Sequence, residues 1–174
     1  MKITLLVAGL LTSLSPVRAW AEAPQIQTPS PVIHLADNLD EKDNLGWCID
    51  TLGRGFAENL QAHSCKPQGG DVQFSFDAET GLIRNVEFSK FCMQHNAGNK
   101  PVFGLVPCDA KNNDQQFSYT AETQSISPAS NDALCVSVAK ESRTAGPFMS
   151  RSLLLETCAE TDAKFRTWII ANDQ

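Results

Sequence analysis

Six cysteines, at 48, 65, 92, 108, 135 and 158, fall in pairs that recur at a nearly constant step, and this rhythm constrains the fold more than any other feature of the chain. The first members stand at 48, 92 and 135, steps of 44 and 43 residues, and the second follows after 17, 16 or 23. Beyond each second cysteine lies a strand-like run built around an aromatic residue, at residues 72–76, 115–119 and 166–170, so that Phe74, Phe117 and Trp168 occupy one equivalent position. Ile83 and Ile126 each stand nine residues before the next first cysteine. Four landmarks in one order imply an internal repeat of three units. The third unit carries an insertion around residues 140–151 and ends shortly after Trp168, so it lacks a final strand. Val32–Leu35, ahead of the first unit, is suited to replace that strand and close a barrel.

Each unit consists of short β-rich runs separated by Gly, Pro, Asn and Asp, with no amphipathic helix pattern of 12 residues or more. An all-β closed architecture follows, which also removes exposed sheet edges. The simplest reading of the repeat closes one disulfide inside each unit: Cys48–Cys65, Cys92–Cys108 and Cys135–Cys158. Zinc ligation is disfavoured, because there is no Cys-x-x-Cys and the histidines do not cluster beside the cysteines. The same absence argues against a redox enzyme. No metal and no cofactor is expected.

Disulfides require an oxidising compartment, and the N-terminus supplies a route to one. Lys2 precedes an apolar run from residue 3 to 14, then Ser15, Pro16 and the small-residue pattern Ala19-Trp20-Ala21. This reads as a secretory signal peptide cleaved near Ala21, before Glu22, with Ala21-Glu22-Ala23 as a second site. The run is too short to span a bilayer, which needs roughly 20 apolar residues. A secreted or periplasmic location is expected, with no membrane span. Residues 1–21 are thus read as signal, 22–45 as a leader and 46–174 as the folded domain.

The whole chain carries 14 basic and 20 acidic residues, a net charge of −6, and loss of Lys2 and Arg18 leaves 12 against 20, or −8. Such a surface argues against nucleic acid and anionic membranes as partners. In the leader, Pro24, Pro29 and Pro31 sit among Gln, Thr and Ser, followed by Asp37, Asp40, Glu41 and Asp43. A solvated, mostly irregular segment is expected, without the glycine and spacing of an EF-hand, and a partner-binding arm is the other reading.

The cysteine pairs, the threefold period, Gln115-Gln116-Phe117 and Trp168 resemble the ricin B-type (QxW) β-trefoil lectins over residues 45–172. The resemblance implies a β-trefoil of three pseudo-threefold repeats, with a shallow sugar pocket in a repeat. It assigns an acid two after the first cysteine, an aromatic platform two before the second, and a polar residue three before the QxW aromatic. In the first repeat these are Asp50, His63 and Asp71, with Gln61 as a further polar contact. A carboxylate and an amide would orient hydroxyls while a flat ring buries CH groups, and His63→Trp would strengthen such a platform. The residues alone leave Asp50 open as a turn residue and His63 as an exposed loop histidine. The second repeat offers Gln94, Val106, Asp114 and Gly104, and the third Ser137, Glu156, Phe165 and Leu154. Only the first is expected to bind.

The resemblance implies an exported carbohydrate-binding module whose partner is a glycan or glycoconjugate. The alternative is a non-catalytic cell-binding or partner-binding subunit similar to the cytolethal distending toxin binding subunits, meeting a protein partner through the leader. Catalysis is not expected: Asp50, His63 and Ser64 supply triad residue types, but no glycine-rich elbow or oxyanion donor accompanies Ser64.

Overall fold

A computed structural model describes residues 23–172 apart from 54, 68, 97 and 101. The expected signal segment and its cleavage site lie outside the described residues. Among the described residues thirteen strands follow one another: β1 Val32–Leu35, β2 Trp47–Thr51, β3 Leu60–Ser64, β4 Phe74–Phe76, β5 Ile83–Asn85, β6 Phe91–His95, β7 Phe103–Pro107, β8 Phe117–Thr120, β9 Ser125–Pro128, β10 Leu134–Val138, β11 Arg143–Ala145, β12 Phe148–Thr157 and β13 Trp168–Ala171. Single 3-10 turns at Gly70–Val72, Asn113–Gln115 and Ala163–Phe165 precede β4, β8 and β13.

Each repeat uses the same four pieces. One antiparallel pair (β2–β3, β6–β7, β10–β12) carries the disulfide, and a second (β4–β5, β8–β9, β13–β1) follows the 3-10 turn. The registers coincide: Phe76 faces Ile83, Tyr119 faces Ile126, and Ile170 faces Ile33. The N-terminal strand therefore completes the third repeat. Ile33, Ile83 and Ile126 are all fully buried, as are Phe74 and Trp168, and Phe117 is 2% exposed. One core receives them all.

The inter-repeat turns reinforce this symmetry. The Phe117 amide donates to the Gly81 carbonyl (2.8 Å) and the Trp168 amide to that of Gln124 (2.7 Å), each linking a repeat to the next. Both turn residues have positive φ, +73° at Gly81 and +52° at Gln124. At Gly81 a Cβ would also stand 2.7 Å from the Phe117 oxygen, which is why glycine is needed there.

The three disulfides join Cys48–Cys65, Cys92–Cys108 and Cys135–Cys158, each within one repeat, as the spacing suggests. Closing loops of this size stabilises the fold by about 3 kcal/mol each in the chain-entropy account.

Residues 37–45 are irregular but do not have the solvated character expected of them. Asn38, Glu41 and Leu45 are buried. The Glu41 carboxylate accepts from the amides of Asp43 and Leu45 and from the Ser64 hydroxyl, and Asn38 accepts from both the Gly46 amide and the Trp47 indole. Asp40 pairs with the buried Arg151, whose guanidinium lies 4.6 Å over the Trp47 ring. These acids anchor backbone donors and the third-repeat insertion rather than forming a charged tail. Upstream, the Gln27 amide and Thr28 hydroxyl donate to the carbonyls of Cys65 and Lys66.

Candidate functional site

Strand alternation builds the site. In β2, Trp47 and Ile49 enter the core, so Cys48 and Asp50 point to the opposite face. The residue two after a first cysteine must share the cysteine's face. Across the pair, Cys48 faces His63 and Asp50 faces Gln61. Val72 covers the disulfide and brings in the 3-10 turn that carries Asp71.

Asp50, His63 and Asp71 converge on a residue that sequence reasoning missed, Lys66. Its ammonium lies 3.3 Å from Asp71 Oδ2 and 3.9 Å from Asp50 Oδ2, while His63 Nδ1 is 3.8 Å from Asp50 Oδ2. Asp50 is fully buried in a strand rather than placed in a turn, and His63, 6% exposed in β3, is no loop histidine. No donor meets either Asp50 oxygen at close hydrogen-bond geometry, although the Thr51 amide and the Gln61 side chain lie near enough to favour its charged form, and Asp71 Oδ1 is unmatched. Burial pushes the Asp50 carboxyl up to about 7; the Lys66 charge opposes that rise and the nearby Asp71 adds to it. Burial lowers the His63 pKa, while its bond to the Ser64 carbonyl (3.1 Å) pulls the other way.

Gln61, only 4% exposed, is held at both ends: its amide donates to the Thr51 carbonyl (3.3 Å) and its oxygen accepts from Arg143 (3.1 Å). Arg143 belongs to the insertion. There β11 pairs with the start of β12, and β12 pairs with β3 at Ser150–His63, Arg151–Ala62 and Ser152–Gln61. The third repeat thereby walls the first. A cleft of about 680 Å³ results, lined by Gln61, His63, Lys66, Asp71, Arg143 and Phe148 among others. The Phe148 ring lies 5.6 Å from that of His63, edge to face. The insertion was the signal that pointed to Arg143 and Phe148, but its length alone did not say which repeat it would reach.

A model of the ricin-type beta-trefoil lectin domain matches residues 38–168. The chain belongs to this family. Solved structures agree in fold. The cytolethal distending toxin of Actinobacillus actinomycetemcomitans superposes with a TM-score of 0.60 at 17% identity, over 82% of this chain and 92% of that one. The Haemophilus ducreyi toxin gives 0.56 at 15%, over 94% and 90%. GalNAc-T7, crystallised with UDP, GalNAc and Mn2+, gives 0.51 at 16% over 72% of this chain, which spans only 20% of the GalNAc-T7 chain. No curated protein matches the sequence at a significant level.

Within the ricin-type domain the second and third repeats keep the register but close the position. Cys92 faces Val106 and Gln94 faces Gly104; Cys135 faces Glu156 and Ser137 faces Leu154. Gln94 accepts from Asn112 (2.9 Å) and donates to Asn96 (3.1 Å), and the Ser137 hydroxyl donates to Glu156 (2.8 Å). Where the first repeat leaves buried acceptors unmatched, these two bond within themselves. Asp114 holds the middle of its 3-10 turn as Asp71 does, beside the buried His95 at 3.6 Å. In the third repeat the turn ends one residue earlier relative to the strand, so Lys164, not Phe165, takes that middle position.

The triad residue types do not assemble into a relay. Ser64 donates its hydroxyl to Glu41 (2.7 Å) and accepts from the Met149 amide, away from the His63 ring nitrogens. All six cysteines are consumed in disulfides, and among the described residues no cluster of His, Cys, Asp and Glu suits a metal. No helix among the described residues is long and apolar enough to cross a membrane.

Proposed function

We propose that this chain is an exported, non-catalytic carbohydrate-binding module with one sugar site, the first-repeat cleft. The observation that carries the reading is Asp50: a fully buried carboxylate whose oxygens receive no close hydrogen bond, beside the Lys66 and Asp71 that line an open cleft, in a family of lectin domains. A buried acceptor without a donor costs roughly 1–3 kcal/mol and persists where a ligand supplies the missing bonds. Sugar hydroxyls are such donors. Lys66 covers Asp50 and Asp71, so its ammonium swings aside as hydroxyls arrive. Phe148 and Leu52 offer apolar surface to the CH face of the ring. Intrachain disulfides and the N-terminal apolar run support a secreted or periplasmic location.

A second reading, a non-catalytic subunit of a larger assembly, is supported by the loss of two of three sites and by the fold shared with the distending toxin chains. A glycan array on the secreted protein, followed by titration of the best binder against wild type and Asp50→Ala, tests the sugar site. Reproducible binding to one glycan class that Asp50→Ala abolishes supports the lectin. Silence across the array sinks it in favour of the subunit.

A further inference from the structure

We propose that the β11–β12 hairpin makes the first-repeat cleft selective for a sugar bearing a carboxylate, with Arg143 as the residue that reads it. This rests on the cleft being a sugar site. The third-repeat insertion adds an edge strand to β3 and carries Arg143 over a cleft that belongs to another repeat. Its guanidinium is not matched by an acid: the bonds it makes go to two neutral acceptors, Gln61 Oε1 at 3.1 Å and Ser152 Oγ at 3.2 Å. No ion pair joins it to a carboxylate among the described residues. Of the other charged residues lining the cleft, Lys66 and Asp71 pair with each other.

The arrangement holds the cation rather than merely exposing it. One Nη donates to Gln61, itself tied to the Thr51 carbonyl, and the other to Ser152 on β12. A guanidinium has five N–H donors in a planar fork, so donors remain that match the two oxygens of a carboxylate. Lysine offers no such fork. Asp50 and Asp71 gather around Lys66 while Arg143 is held by Gln61 and Ser152, so the ligand's hydroxyls meet the acids and its carboxylate meets Arg143. The surrounding chain is net acidic, −6, so the attraction is local to this guanidinium rather than a general affinity for anions.

The test is calorimetric titration of the intact protein with two matched pairs: 3′-sialyllactose against lactose, and digalacturonic acid against its methyl ester. Arg143 is exposed, so the expected preference for the acid is about tenfold rather than larger, for at least one pair, and it shrinks as salt rises. The pair that responds identifies the source of the carboxylate. Arg143→Gln brings the acid-to-neutral ratio close to one, and Arg143→Lys retains part of the preference, with melting temperatures checked for each. A wild-type ratio near one in both pairs, or a preference that Arg143→Gln leaves intact, overturns the proposal while leaving the sugar site standing. Failure of all four probes, together with a silent glycan array, removes both.

Discussion

Lys66 Nζ stands 3.9 Å from Asp50 Oδ2 and 3.3 Å from Asp71 Oδ2, one ammonium shared between two carboxylates that are 0% and 5% exposed. A single charge cannot fully compensate two buried acids. Burial raises the Asp50 carboxyl, the deeper of the two, to about 7 against the pull of that shared charge.

This has a sign that pH can read. Asp50 ionises near its ordinary 3.8 when unfolded and near 7 when folded, so between those values the folded state holds the extra proton. Its contribution to stability is fully present below the unfolded value and is lost as pH rises through the folded one. His63, with its pKa lowered, acts in the opposite direction below its ordinary 6.5. Asp50→Asn isolates the first effect: its melting temperature should exceed that of wild type by a margin that widens from pH 5 to pH 8, worth a few kcal/mol at most. A margin that stays constant would mean that Asp50 is not the buried acid described above.

Sugar binding should depend on Asp50 and not on its counterparts. Removing a charged acceptor costs about 1.5–3 kcal/mol, or roughly 10- to 150-fold in affinity. Asp50→Asn keeps one acceptor and should lose less than Asp50→Ala. Gln94→Ala and Ser137→Ala remove groups already bonded to Asn112 and Glu156 and should leave affinity unchanged. Titration of the four variants decides the matter; loss at Gln94 or Ser137 with normal binding by Asp50→Ala would move the site to another repeat.

His63→Trp is where sequence and structure give opposite expectations. A tryptophan would extend a stacking platform if the position were open. His63 is 6% exposed, with its ring against Phe148. The larger ring would press on Phe148, and such overpacking should lower stability by about 1–3 kcal/mol, seen as a drop in melting temperature. Improved affinity with unchanged stability would restore the platform role.

The N-terminal strand should behave as part of the core. Ile33 is fully buried opposite Ile170, so Ile33→Ala should cost about 2–5 kcal/mol in denaturant unfolding. We propose that the folded unit begins near Thr28, and limited proteolysis should then stop there, since Thr28 is buried and bonded to Lys66. Rapid removal of everything before Gly46 without unfolding would contradict this.

Gly81→Ala tests the repeat junction. A positive φ and a Cβ 2.7 Å from a backbone oxygen leave no relaxed geometry, and a loss of about 1–3 kcal/mol is expected from thermal melts.

By itself the sequence determined the threefold architecture, the disulfide partners, the shared role of Phe74, Phe117 and Trp168, and the use of Val32–Leu35 to finish the third repeat. These features are legible because each is written two or three times at one period, and because strand alternation puts a cysteine and the residue two beyond it on one face. It also singled out Asp50, whose equivalents Gln94 and Ser137 differ in kind. Only the tertiary structure decided what surrounds that carboxylate. Lys66, from the first repeat itself, covers it, while Arg143 reaches Gln61 across 82 residues and Phe148 meets His63 through an insertion that occurs once. Glu41 and Asn38 looked like a solvated acidic leader because burial of a charge depends on donors supplied from elsewhere in the chain, here Ser64 and the amides around Leu45. A repeat announces itself by recurrence, whereas a contact between an unrepeated insertion and a distant strand exists only once the chain has closed on itself.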